Sequence, residues 1–229
     1  MLILKNLLIS LIFMVLLTTN CFAEETWKIT SLDWQPYSGA ELSNQGNSIQ
    51  QLRQLLKKED ISLIVEFYPW KRAQSKAKTE EFIGYFPAWP EEVKKGFIAS
   101  PAIDMSEIAI IKNTDSVVEY DNIEDLFSKY VVGLVMTYSY PKTIDKAAKN
   151  NPENVDNAPN EVALMKKLSG GRHPVAITDP NVIQYLADKN GVGNIQVEEI
   201  VMKKELVISF SDTPENRKRI KLLKKLTDK

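Results

Sequence analysis

Residues 61–77, "ISLIVEFYPWKRAQSKA", carry the decision about architecture. The first seven are rich in β-branched and aromatic side chains and read as a strand over residues 61–67. Pro69 follows, with a φ already suited to a first helical turn and no amide hydrogen to lose there, so a helix opens at once. A strand that passes straight into a helix is half of a parallel α/β unit. The placing of Trp70 raises a second question. A core Trp needs no such setting, whereas a Trp held by a proline at the mouth of a basic helix is placed to meet a small molecule.

The same unit recurs on both sides. Upstream, "WKITSL" (residues 27–32) alternates apolar and polar residues and ends in the turn-rich "DWQPYSG". "NSIQQLRQLLKK" (47–58) then sets Ile49, Leu52, Leu55 and Leu56 at helical spacing, with Asn47 or Ser48 as N-cap. Downstream, residues 82–86 and 106–112 read as strands. A second set follows: a short helix at "NIEDLF", a buried strand at 130–136, a helix after Pro141, and a helix "PNEVALMKKLSGG" closed by Gly170 and Gly171. "VAIT" is a strand, and "DPNVIQYLADKNG" a helix with Asp179 as N-cap and Pro180 just inside. Two late strands, 195–201 and 205–211, precede a basic terminal helix. Ile220, Leu222, Leu223 and Leu226 give that helix an apolar stripe, so its lysines read as a solvated face. The alternation predicts an α/β fold with largely parallel sheets.

The first 23 residues stand apart. Lys5 precedes the uncharged run "LLISLIFMVLL", too short to span a bilayer, and "CFA" offers small residues for cleavage after Ala23. This is an export signal, and the mature chain is expected in the periplasm. The rival is a lipoprotein signal anchored at Cys21, to which Asn20 fits poorly. Cys21 is the only cysteine, so the cleaved chain has no disulfide, thiolate nucleophile or cysteine metal site. The 29 Lys and Arg nearly balance the 30 Asp and Glu, which gives no reason to expect nucleic acid or a membrane surface as partner. His173, the only histidine, has no nucleophile near it in "GRHPVA" and reads as a loop residue beside a proline.

The segments "DWQPYSG", "NQGNSIQQL", "YPWKRA", "PAWPEE", "ASPAIDMSE", "DLFSKYVVGLVMTYSYP" and "GRHPVAITDPNVIQYLADKNG", in this order and spacing, resemble the bacterial extracellular solute-binding protein family 3. The likeness is nearest to the branch with a Pro-Trp-x-Arg-Ala segment. It implies a type II periplasmic binding fold: two α/β lobes, two crossing hinge strands and a ligand in the cleft. On that template residues 24–110 form lobe 1, 111–203 lobe 2, and 204–229 the return segment and terminal helix. The implied function is capture of a small polar, amino-acid-like solute by a monomer, without cofactor or metal, for an ABC-type permease. One alternative is a sensing module for a membrane receptor. Another is a dehydratase-like enzyme using Glu107 or Asp179 as acid or base.

The resemblance also implies the site. Trp34 and Tyr37, in the loop after the first strand, face the ligand or else cap the sheet edge. Trp70 matches the aromatic lent to the cleft by the loop before the second helix. Arg72 either favours an anionic ligand group or forms a surface ion pair, and Trp89 either contacts ligand or packs in the core. Tyr138 and Ser139 match a loop offering hydroxyls and backbone N–H groups. Asp179 matches the acid that takes the ligand amino group, a role compatible with its N-cap. Two departures stand out. Amino-acid binders carry a carboxylate-clamping Arg seven residues before the Ser matched by Ser100, and Val93 occupies that position. An aliphatic side chain cannot replace a bidentate clamp. The family also continues with a further Gly turn and helix beyond the point that matches Lys229.

Overall fold

The computed structural model describes residues 25–228. The expected export signal, its expected cleavage after Ala23 and the rival lipoprotein anchor at Cys21 lie outside the described residues. Strands β1 (Thr26–Ser31) and β2 (Ser62–Phe67) lie parallel, with Thr26 opposite Ser62 and Ser31 opposite Phe67. Helix α1 (Asn47–Lys57) joins them and buries Ile49, Leu52 and Leu56, three of the four residues picked out by spacing. Its N-cap is Gly46, not Asn47 or Ser48. The Ser48 hydroxyl is engaged instead by Asp104, 2.6 Å away.

Helix α2 (Trp70–Lys76) begins directly after Pro69, as the sequence predicts. Strand β3 (Gly84–Ala88) starts two residues later than expected. Gly84 is where β3 meets a neighbouring strand: a Cβ there would lie 2.2 Å from the Ser209 carbonyl oxygen. Only glycine allows that approach.

Two long antiparallel strands, β5 (Asp104–Asn113) and β9 (Ile195–Ser211), connect the halves of the molecule. With β6 (Val132–Val135), β7 (Val155–Ala158) and β8 (Val175–Thr178), the sheet runs β2-β1-β3-β9-β5-β8-β6-β7, and β4 (Phe97–Ala99) also pairs with β9. The far end of β9 pairs with β3 and β4, its near end with β5. Pairing is parallel within each half, β1–β2 and β1–β3 in one, β6–β7 and β6–β8 in the other.

The sequence suggested two separate late strands, and the structure has one of 17 residues. Lys204, in the charged stretch that seemed to divide them, is 4% exposed. Its ammonium donates to the Ser139 carbonyl at 2.8 Å, pairs with Glu91 at 3.2 Å and lies 4.1 Å above the Trp89 ring. With those partners the lysine sits inside a continuous strand. Strand β7 escaped the pattern because it reads Val-Asp-Asn-Ala and buries only Ala158.

Helices α3 (Ile123–Lys129), α4 (Lys142–Asn150), α5 (Glu161–Ser169) and α6 (Pro180–Asn190) cover the second half. Asn122, Asn160 and Asp179 accept backbone N–H groups at the starts of α3, α5 and α6, and Gly191 closes α6 at φ 67°. The terminal helix α7 (Pro214–Thr227) buries Leu223 and Leu226 and packs against α1. Arg219 of α7 lies over Trp27, which itself meets Phe210 edge-on at 5.7 Å. His173 lies in the loop before β8 beside Pro174, as read from the sequence, and is buried there, which lowers its pKa. No helix among the described residues is long and apolar enough to cross a membrane, and among them no cluster of His, Cys, Asp and Glu could hold a metal.

Candidate functional site

The loops after the parallel strands meet between the halves. After β1 the chain closes on itself: Trp34 N donates to Ser38 O at 2.8 Å, and Ser38 N returns to Trp34 O at 3.1 Å. This tight loop stacks Trp34 on Tyr37, with ring centres 4.5 Å apart. After β3, Trp89 opens a short 3-10 turn, Pro90–Glu92, and its indole donates to the Ser106 hydroxyl of β5 at 2.8 Å. Glu92 folds back so that one oxygen accepts the Trp89 amide at 3.0 Å and the other the Trp70 indole at 3.2 Å.

The opposite wall comes from the loops after β6 and β7. Tyr138 accepts the Trp34 indole N–H at 2.9 Å and stands edge-on to Trp89 at 4.8 Å. Its loop is fixed by Tyr140, whose hydroxyl accepts from Val135 N and donates to Ile177 O. A second bond crosses the halves deeper in. The Tyr37 hydroxyl donates to Asp179 at 3.1 Å and accepts from Asn181 at 2.9 Å.

Between these walls lies a cavity of about 420 Å³, within the roughly 300–1,000 Å³ typical of small-molecule sites. Phe67, Tyr68, Pro69, Trp70, Pro87 and Trp89 line it from one half, and Thr137, Tyr138, Pro159, Asn160 and Glu161 from the other. The charged residues on its walls are Asp33, Glu92 and Glu161, all acidic. Burial raises the Glu92 pKa, against the lowering effect of its bonds from Trp89 and Trp70. Burial likewise raises that of Glu161, which its own backbone N–H, Tyr138 and Trp34 hold back.

Comparison with solved structures matches the fold over nearly the whole chain. A histidine kinase sensor domain with similarity to periplasmic binding proteins superposes with a TM-score of 0.71 at 15% identity, covering 90% of this chain and 93% of its own. An ancestral arginine-binding protein bound to arginine gives 0.70 at 15% identity, covering 89% and 92%. A structure from work on glutathione import through GshT and the cystine ABC importer TcyBC of Streptococcus mutans gives 0.68 at 14%, covering 90% of each chain. The fold is that of the two-lobed periplasmic binding proteins. No family model matches the chain, and no curated protein does.

In this periplasmic-binding fold, Trp34, Trp70, Trp89 and Tyr138 gather on one cavity. The other expected residues stand apart from it. Tyr37 lies beneath Trp34. Asp179 is fully buried, and its oxygens accept from Asn181 N, Val182 N, Glu107 N and Tyr37. Ser139 offers its carbonyl to Lys204. Arg72 is exposed and covers the Tyr68 ring at 5.3 Å. Val93 caps the turn next to Glu92. Sequence reasoning passed over Glu92 and Glu161. The first carries a local signal, an acid three residues after the Trp89 that opens the turn, as in a capping box. The second stands at the first position of α5, an ordinary place for an acid.

Proposed function

We propose that this chain is an exported, monomeric solute-binding protein that closes two lobes around a small polar solute in the periplasm. The observation that carries the reading is a single cavity walled by Trp70 and Trp89 from one half and Tyr138 and Glu161 from the other. A solute there touches both lobes only when they are closed, so its binding energy favours closure. Residues 24–110 and 111–203 act as the lobes, with 204–229 returning to the first, and β5 and β9 carry the hinge. Trp34, Trp70, Trp89 and Tyr138 supply the contact surface. Tyr37 and Asp179 fasten the lobes to each other, Ser139 helps through its backbone, and Arg72 covers the Tyr68 ring outside the cavity. The chain is not an enzyme: a bound compound is recovered unchanged.

The test is calorimetric and thermal titration of residues 24–229 with amino acids, small carboxylates, amines and short peptides. A ligand at about 100 times its Kd adds roughly 2.7 kcal/mol of stability. Trp70→Ala should abolish that gain; because Trp70 is partly buried, meets Tyr85 edge-on at 5.4 Å and donates to Glu92, the ligand-free melting temperature falls as well, and the readout is the ligand-induced rise in each protein. A well-folded protein that responds to no compound would sink the reading.

Delivery to an ABC-type permease is the use this reading favours. The likeness to a kinase sensor domain favours a second, ligand sensing for a membrane receptor. Ligand-stimulated ATP hydrolysis by a reconstituted permease supports the first, and ligand-dependent autophosphorylation of a receptor kinase the second.

A further inference from the structure

We infer that the cavity is built for a small organic cation that carries no carboxylate, an amine or quaternary ammonium on an apolar body. This rests on the binding-protein reading above and specifies its ligand.

The charge on the cavity wall is one-sided. Asp33, Glu92 and Glu161 line it, and no Lys, Arg or His does. A ligand carboxylate would therefore meet acids and rings with no cationic partner, in a site where an unpaired charge is costly. The position at which a clamping Arg was expected is Val93, and its neighbour Glu92 supplies the opposite charge.

The helix end that reaches the site does not reverse this. The start of α5 would ordinarily favour an anion. Here Asn160 caps the Ala163 amide, and Glu161 sets its own carboxylate at that end against its own backbone N–H. The terminus is answered from within the chain, and what it adds to the wall is another acid. Two cations lie beside the lining: Lys204 is 4% exposed and committed to Ser139 O and Glu91, and Arg72 lies over the Tyr68 ring at 5.3 Å without lining the cavity.

The remaining wall suits a cation. Trp34, Trp70, Tyr68 and Tyr138 present aromatic surface in the same space as the carboxylates, and aromatic faces attract ammonium groups through the ring quadrupole. The protein already uses this chemistry beside the cavity, where the Lys204 ammonium lies 4.1 Å above Trp89. Glu92 accepts one bond on each oxygen, from Trp89 N and Trp70 Nε1. Each carboxylate oxygen has room for a second donor, so a ligand N–H or a polarised methyl can approach without displacing either bond.

Two matched pairs of probes test this by isothermal titration of residues 24–229. Choline and its uncharged carbon isostere 3,3-dimethylbutan-1-ol differ in charge alone. Agmatine and L-arginine share the guanidinium, but arginine adds a carboxylate. The expected result is that at least one cation binds, that choline exceeds its isostere or agmatine exceeds arginine by roughly tenfold or more, about the range of a desolvated cation–π contact, and that Glu92→Gln and Glu161→Gln each weaken the preferred cation while sparing the uncharged isostere. The wild-type comparison needs no variant, so a poorly folding substitution does not blunt it. Preference for arginine over agmatine, or binding of glutamate or another anion with dependence on Trp70, would overturn the cation assignment and leave the binding-protein reading standing. Silence of every compound, charged or not, would overturn both.

Discussion

Asp179 carries two duties at once. It caps α6 by accepting the amides of Asn181 and Val182, and it holds Tyr37 of the other half. Burial raises its pKa from 3.8 to about 6, with the bonds from Val182, Glu107, Tyr37 and Asn181 pulling the other way. The sign of the consequence follows. In the folded protein the carboxyl keeps its proton up to about pH 6, whereas the unfolded chain releases it near 3.8. Stability from this group is therefore fully present below about pH 4 and is lost as the pH rises through 6, by about 3 kcal/mol in all. Asp179→Asn should flatten that dependence, so that urea denaturation at pH 4.5 and 7.5 differs less in the variant than in the parent. An unchanged difference would mean that other groups control the change in stability between these two pH values. Such a residue was visible as a helix cap, but its reach to Tyr37, 142 positions away, was not.

At the scale of elements, β3 meets β9 at Gly84, where the backbone of β9 leaves no space for a Cβ. Gly84→Ala sets a methyl against the Ser209 carbonyl, a backbone atom that cannot swing aside. The expected cost is about 2 kcal/mol, read as a fall in melting temperature. Gly193→Ala is the control, since nothing lies within 4 Å of the position its Cβ would take. Equal effects at the two glycines would remove the argument from close approach. The same junction shows why strand edges shifted from the sequence reading. Hydrophobic pattern placed a strand near residues 82–86, but its bounds depend on where β9 offers partners, and β9 arrives from more than a hundred residues later.

For the whole molecule, the bond from the Trp34 indole to the Tyr138 hydroxyl and that from Tyr37 to Asp179 hold the halves together. Tyr138→Phe keeps the ring that packs on Trp89 and removes the acceptor for the indole. With about 1 kcal/mol lost from the closed form, the ligand-free protein should populate open conformers several-fold more. Small-angle X-ray scattering would then give a larger radius of gyration without ligand and a return to the parent value when ligand is bound. Identical scattering of parent and variant in both conditions would show that this bond does not govern closure.

The α/β character, the Pro69 helix start, the cap at Asp179 and the apolar stripe of α7 were legible in the sequence, because each depends on neighbours a few residues apart. The resemblance added four of the cavity residues, Trp34, Trp70, Trp89 and Tyr138. What only the tertiary structure decided is which side chains share one space. Trp34 meets Tyr138 across 104 residues, Glu92 turns in beside Trp70, and Glu161 enters from a helix start that reads as ordinary. Lys204 looked like a break between strands until its partners, the Ser139 carbonyl, Glu91 and the Trp89 ring, came into place around it. The sign of charge in the cavity follows from these meetings. It is set by the topology that brings loops of two halves together, and no local pattern along the chain carries that information.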